Sequence, residues 1–135
     1  MRITRRVDFS ACHACGLPDL TEEQNYEIYG EASRLHGHNF MVEVTLEGEP
    51  DPVTGMVYDL KRLKEILHRE VIELLDHRNL NAEIEPFQRI VPTAENLARL
   101  IWDRVAPYFQ DGGPRLSSVR VHETEDLYVE YMGEE

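Results

Sequence analysis

His36-Gly37-His38-Asn39-Phe40-Met41-Val42-Glu43-Val44-Thr45-Leu46 reads as a strand with one buried face. His36, His38, Phe40, Val42, Val44 and Leu46 share one parity, and residues two apart on a strand point to the same side. The two imidazoles therefore extend the apolar face and can converge on one ion. Gly37 between them lets backbone or ligand approach closely. A second alternating run, Ile3 to His13, puts Ile3, Val7, Phe9, Ala11 and His13 on one parity and Thr4, Arg6, Asp8 and Ser10 on the other. Three neutral imidazoles with an open fourth position make the catalytic rather than the structural type of zinc site.

Outward from these strands, the segment from Leu17 to Ser33 is polar and weakly periodic, which predicts a long connection with one short helical turn. A connection that long inside a small domain is often functional. Gly48 to Gly55 is a turn cluster. A helix is expected from Leu60 to Leu75, with a stripe of Leu60, Leu63, Ile66, Leu67, Val71, Leu74 and Leu75, and a polar exit from Asp76 to Asn81. A second helix opens after Pro92, with Thr93 as N-cap, Glu95 at the positive end, and Leu97, Leu100, Ile101, Val105 and Tyr108 as its stripe. Gly112-Gly113-Pro114 breaks the chain. Leu116 to Glu123 and Leu127 to Met132 then form a hairpin around Thr124-Glu125-Asp126. The order predicts an α+β fold, a four-stranded antiparallel sheet with two helices on one face, in a single domain over residues 1–135.

The 135 residues carry 26 acidic and 14 basic side chains, a formal charge of −12. That balance argues against a nucleic-acid or anionic-membrane surface, both of which need a basic face. No apolar run approaches a membrane span, and the N-terminus lacks a signal-peptide core. Two cysteines, Cys12 and Cys15, are too few for a disulfide framework, so a reducing cytoplasm is the natural location.

Six segments together resemble the T-fold pterin enzymes, the 6-pyruvoyl-tetrahydropterin synthase and 6-carboxytetrahydropterin synthase family. They are Phe9-Ser10-Ala11-Cys12-His13, His36-Gly37-His38-Asn39-Phe40, Asp51-Pro52-Val53-Thr54-Gly55-Met56-Val57, Leu75-Asp76-His77-Arg78-Asn79-Leu80, Pro92-Thr93-Ala94-Glu95-Asn96 and Val121-His122-Glu123-Thr124. The resemblance implies that His13, His36 and His38 hold zinc, that Asp76 and His77 form a proton-transfer pair, and that Glu123 grips the pterin ring. It implies 7,8-dihydroneopterin triphosphate as substrate, and trimers stacked into homohexamers with active sites between subunits. The short spacing before His36 resembles the bacterial group, so the 6-carboxy product, on the route to queuosine, is expected first. The 6-pyruvoyl product is the alternative.

One departure stands out. Relatives with this spacing carry a catalytic cysteine four residues before the first histidine of His-Gly-His, and here that residue is Ala32; a subgroup uses glutamate one residue later, where this chain has Ser33. Four readings follow: an engineered Cys-to-Ala variant, Glu31 as base from one position upstream, Cys15 folding in from the preceding segment, or a divergent enzyme or natural pterin binder. The first two are preferred, because Arg34-Leu35-His36-Gly37-His38 keeps the family pattern. Ala32 and Arg34 are placed at the substrate, Arg34 toward the triphosphate, although a solvated loop arginine explains Arg34 equally well.

Blander readings compete with the site. Cys12 and Cys15 form a C-x-x-C that could join His36 and His38 in a structural Cys₂His₂ site, but strand parity turns Cys12 away from His13. Asp76-His77 could simply close a helix C-terminus, where a protonated histidine is favourable. Glu123 shares the parity of Val119 and Val121, and a carboxylate facing the buried side needs a partner. His68 and His122 belong to no constellation and read as surface or locally bonded side chains.

Overall fold

The computed structural model describes residues 1–133. β1 (Arg2–His13) and β2 (His36–Glu47) are twelve residues each and pair antiparallel without a slip, from Arg2 opposite Glu47 to His13 opposite His36. Their alternation is the cause: a one-residue slip would turn Phe9, Phe40, Val42 and Val44, all buried, out to solvent. β4 (Arg115–Thr124) pairs with β2, and β5 (Leu127–Tyr131) closes the hairpin on β4.

The sheet departs from the expected four antiparallel strands. A two-residue strand, β3 (Arg78–Asn79), runs parallel to Ala11 and Cys12, so the sheet is mixed and five-stranded in the order β3-β1-β2-β4-β5. The polar exit that follows Leu75 is thus captured by the free edge of β1, satisfying backbone groups that the edge would otherwise leave open.

Two helices on one face also proves too few. The Leu17 to Ser33 connection carries α1 (Glu22–Tyr29), closed by a capping box in which Thr21 and Gln24 bond each other's backbone, and none of its residues is buried. Further along, α2 (Leu60–Leu67), a π-helical stretch (His68–Ile72) and α3 (Glu73–Leu75) form one continuous rod. Beside Ile66, its buried residues Leu63, Leu67, Val71 and Leu75 recur four apart. In an ideal α-helix that spacing drifts by about 40° per step, and one wider turn brings the stripe back into phase. A short α4 (Leu80–Glu83) follows, then α5 (Ala94–Val105), capped by Thr93.

The inward faces of β1, β2 and β4 meet Leu63, Leu67, Val71, Leu97, Ile101 and Val105 in one core. His13, fully buried, stands at its end beside Phe40. No helix among the described residues is long and apolar enough to cross a membrane.

Candidate active site at the end of the core

His13 and His36 are opposite each other in the β1–β2 register, and His38 lies two residues on along β2. The ring centroids are 4.6 Å (His13–His36), 5.2 Å (His13–His38) and 4.8 Å (His36–His38) apart. One ring nitrogen from each comes within 4.8 Å of the others. Backbone carbonyls fix two tautomers. His13 Nδ1 lies 2.7 Å from the Pro92 oxygen and His36 Nδ1 lies 2.6 Å from the Arg34 oxygen. A carbonyl only accepts, so each Nδ1 carries the hydrogen and each Nε2 presents a lone pair.

His13 Nε2 is buried with no hydrogen-bond partner. Burial lowers the His13 pKa against the opposing pull of the Pro92 bond, and burial likewise lowers that of His38. Three converging imidazoles, one with an orphaned inward nitrogen and two oriented from behind by carbonyls, fit a zinc ion with an open fourth position. Among the described residues neither Cys12 nor Cys15 joins this cluster, which removes the geometric basis for the C-x-x-C alternative.

Glu123 approaches the centre, its Oε2 3.8 Å from His13 Nε2. The strand bends to bring it there: His122 pairs with Tyr128 but Thr124 pairs with Leu127, so Glu123 is the extra residue of a β-bulge. Bulges re-aim a side chain in this way and recur beside active sites. A pocket of about 610 Å³ opens beside His36 and His38, with Cys15, Glu31, Ala32, Glu95 and Glu123 among its other lining residues. The buried Cys15 thiol is pushed up by burial first and by Glu123 and Glu95 in turn. Glu31 and Arg34 lie at the mouth, both well exposed: Glu31 accepts from the Tyr26 hydroxyl at 2.9 Å and faces Arg34 at 3.8 Å, and the guanidinium sits 5.4 Å over the Tyr26 ring.

Asp76 and His77 do form a pair, Oδ2 to Nδ1 at 3.0 Å. Asp76 Oδ1 accepts the Ser10 N–H at 2.9 Å and the His77 N–H donates to the Ser10 oxygen at 2.6 Å, so the pair is bracketed onto β1. The Ser10 bond is the main cause that holds the Asp76 carboxyl below its usual range. His77 has φ of 63°, a left-handed conformation unusual for a residue other than glycine, and its side chain is 83% exposed. It opens into a groove shared with Ser10, Cys12, His38, Asn39 and Arg78, whereas the pocket over His36 and Ala32 contains neither Asp76 nor His77. His122 bonds locally to Glu43 at 2.8 Å.

Several features of the site carried no readable signal. The Pro92 and Arg34 carbonyls are main-chain groups that any residue supplies. Glu95 in the pocket wall follows from where α5 begins against the sheet, and the bulge at Glu123 from pairing that sequence spacing does not show.

Comparison with known proteins agrees with this architecture. The 6-pyruvoyl tetrahydropterin synthase family matches residues 2–134. The chain is 43% identical over 134 residues to the 6-pyruvoyl tetrahydrobiopterin synthase of Poecilia reticulata, covering 98% of this chain and 90% of that protein. A protein of Archaeoglobus fulgidus provisionally named 6-carboxy-5,6,7,8-tetrahydropterin synthase is 38% identical over 100 residues, covering 74% and 77%. The structure of Caenorhabditis elegans 6-pyruvoyl tetrahydropterin synthase superposes with a TM-score of 0.90 at 34% identity, covering 99% of this chain and 96% of that one. By sequence and by fold, with the histidine cluster at the end of its core, the chain belongs to the 6-pyruvoyl tetrahydropterin synthase family.

Proposed function

We propose that the chain is a zinc-dependent lyase that acts on 7,8-dihydroneopterin triphosphate, releases triphosphate and gives the 6-pyruvoyl product. The observation that carries this reading is the buried, unpartnered His13 Nε2 converging with His36 and His38, which themselves line a pocket shared with Glu123. The relatives named above favour this product over the 6-carboxy product that the short spacing before His36 suggests. The archaeal relative and that spacing keep 6-carboxytetrahydropterin, on the route to queuosine, as the second reading.

Zinc held by the three histidines would polarise the substrate's side-chain hydroxyls and stabilise negative charge developing beside them. The remaining work falls to the chain. Glu123 offers two carboxylate oxygens to the amino-pyrimidine edge of the pterin, a bidentate charge-assisted contact. Loss of triphosphate requires removal of a carbon-bound proton, and Asp76 holds the His77 tautomer that can shuttle protons near neutral pH. Arg34 at the mouth supplies a cation for the triphosphate.

The Asp76–His77 groove reaches His38 but the pocket over His36 lacks the pair. Assembly as a homohexamer of two trimers, with sites between subunits, would let one copy's pair serve its neighbour's pocket. The test is turnover by the zinc-loaded protein with products resolved by mass. A 6-pyruvoyl product supports the reading, a 6-carboxy product transfers it to the alternative, and pterin binding without product identifies a protein in which Ala32 has left only the binding function.

A further inference from the structure

We propose that Asn96 is a positioning residue for the histidine centre: its side-chain amide fixes the peptide unit whose carbonyl holds the His13 ring, and through that unit it sets the aim of His13 Nε2. The inference rests on the zinc reading for what His13 holds, and on hydrogen bonds within the chain for Asn96.

The backbone of His13 is settled by its neighbours. The ladder to His36 fixes one side. The Asn81 side chain accepts from the Ala14 N–H at 2.8 Å and donates to the Ala14 oxygen at 2.9 Å, and Asn25 grips Leu17 in the same way a few residues on. Rotation of the imidazole is then the freedom that remains, and the bond between His13 Nδ1 and the Pro92 oxygen at 2.7 Å arrests it. A ring fixed at Nδ1 presents Nε2 in one direction, so the placement of one carbonyl decides where this ligand points.

That carbonyl belongs to a segment with little to steady it. The chain before it runs through turns, Ile90 is 42% exposed, and Pro92 has no N–H with which to anchor itself. The other half of the same peptide unit is the Thr93 N–H. The unit is trans and planar, its N–H and C=O pointing in opposite directions, so holding one aims the other. The Thr93 N–H donates to the Val91 oxygen at 2.9 Å, a closure over only three residues. The Asn96 amide donates to that same oxygen at 2.8 Å. Val91 is thereby pinned from α5, whose first turn is seated in the core by Ala94, Leu97 and Ala98. The hydrogen bonds run from the Asn96 amide to the Val91 oxygen, from there to the Thr93 N–H, and from the Pro92 oxygen to His13 Nδ1. For its cap the helix uses only the main-chain N–H of Asn96, which donates to Thr93 Oγ1 at 3.2 Å. The side-chain amide is turned off the helix, onto the carbonyl that steadies the Pro92–Thr93 unit.

Two measurements test this: competition for zinc against a chelator of known affinity, and hydrogen exchange of the His13 Nδ1–H followed by NMR. Asn96→Asp keeps the side-chain shape and puts a negative charge in the first turn of α5, where a helix favours it, but it sets an acceptor against the Val91 oxygen. Asn96→Ala removes the donor without adding a charge. Both variants should bind zinc about 10- to 100-fold more weakly than the parent, as on loss of an outer-shell partner, and exchange the Nδ1–H about tenfold faster or more. Val105→Ala, a cavity at the far end of the same helix, controls for lost stability and should stay within about threefold of the parent on both readings. Zinc affinity within about threefold of the parent in both Asn96 variants would overturn the role, and so would an equal loss in Val105→Ala. If the parent takes up no zinc, the zinc reading fails. Exchange of the Nδ1–H in the metal-free chain then decides Asn96 alone, and rates within about threefold of the parent in both variants would overturn it.

Discussion

His77 holds a left-handed backbone conformation and an exposed ring, and this combination predicts opposite effects on stability and activity. An L-residue there costs about 1–2 kcal/mol relative to an unstrained backbone. Glycine removes that cost but adds about 0.5–1 kcal/mol of unfolded-chain entropy. The ring buries little, its bond to Asp76 is solvent-facing, and the His77 N–H to Ser10 oxygen and Ser10 N–H to Asp76 bonds survive the substitution. An exposed pair of this kind contributes about 0–1 kcal/mol, and both His77→Ala and His77→Gly lose it. The difference between the two variants therefore isolates the backbone term: His77→Gly should be more stable than His77→Ala by about 0.5–1 kcal/mol. Urea unfolding of both variants at one protein concentration measures this. Both should lose turnover by about 10²–10⁴-fold, the usual worth of a positioned proton-transfer group. A glycine variant no more stable than the alanine variant would refute the strain argument. Parental turnover in either variant would refute the proton-transfer role.

Three further outcomes follow from the site. Glu123→Gln keeps the shape but loses the charge, so pterin affinity measured by fluorescence should fall about 10- to 100-fold while zinc content stays unchanged. Asn81→Ala removes both bonds to Ala14 and should cost about 2 kcal/mol in unfolding free energy, with faster amide exchange at Ala14 and Cys15. Because burial lowers the folded-state pKa of His13 and His38, the unfolded chain binds more protons as pH falls through the ordinary imidazole range near ~6.5. Metal-free protein should therefore be stable above that range and lose stability below it, by up to about 1.4 kcal/mol per pH unit for each histidine, until the lower folded-state pKa is passed. Denaturant titrations between pH 5 and about 8 would show a flat or opposite slope if the imidazoles were not buried neutral.

Much of this was legible because periodic burial writes itself into the sequence. The runs ending in His13 and beginning at His36 show the two long strands, and their shared parity places all three histidines on the core face. The rod from Leu60 to Leu75 was visible from its stripe, whereas the π-helical turn within it was not, since a four-residue spacing reads as ordinary helix until the drift is summed. The helix Glu22–Tyr29 buries nothing and so has no stripe; its signal was Thr21 three residues before Gln24, a local cap. Arg78–Asn79 became a strand because the edge of β1 was free, a tertiary cause absent from the two residues themselves. The same applies to Cys15, which spacing could only offer as one candidate. The clamps from Asn81 and Asn25 that seat it bridge 67 and 8 residues of sequence.

X-ray absorption at the zinc edge of the metal-loaded protein reads the ligand set of the histidine centre itself. A three-histidine site gives imidazole scattering from three nitrogens at about 2.0–2.1 Å, a light atom in the fourth position and no sulfur. A sulfur shell at about 2.3 Å would contradict it, because Cys12 or Cys15 would then be a ligand and the open, catalytic three-histidine centre would not exist.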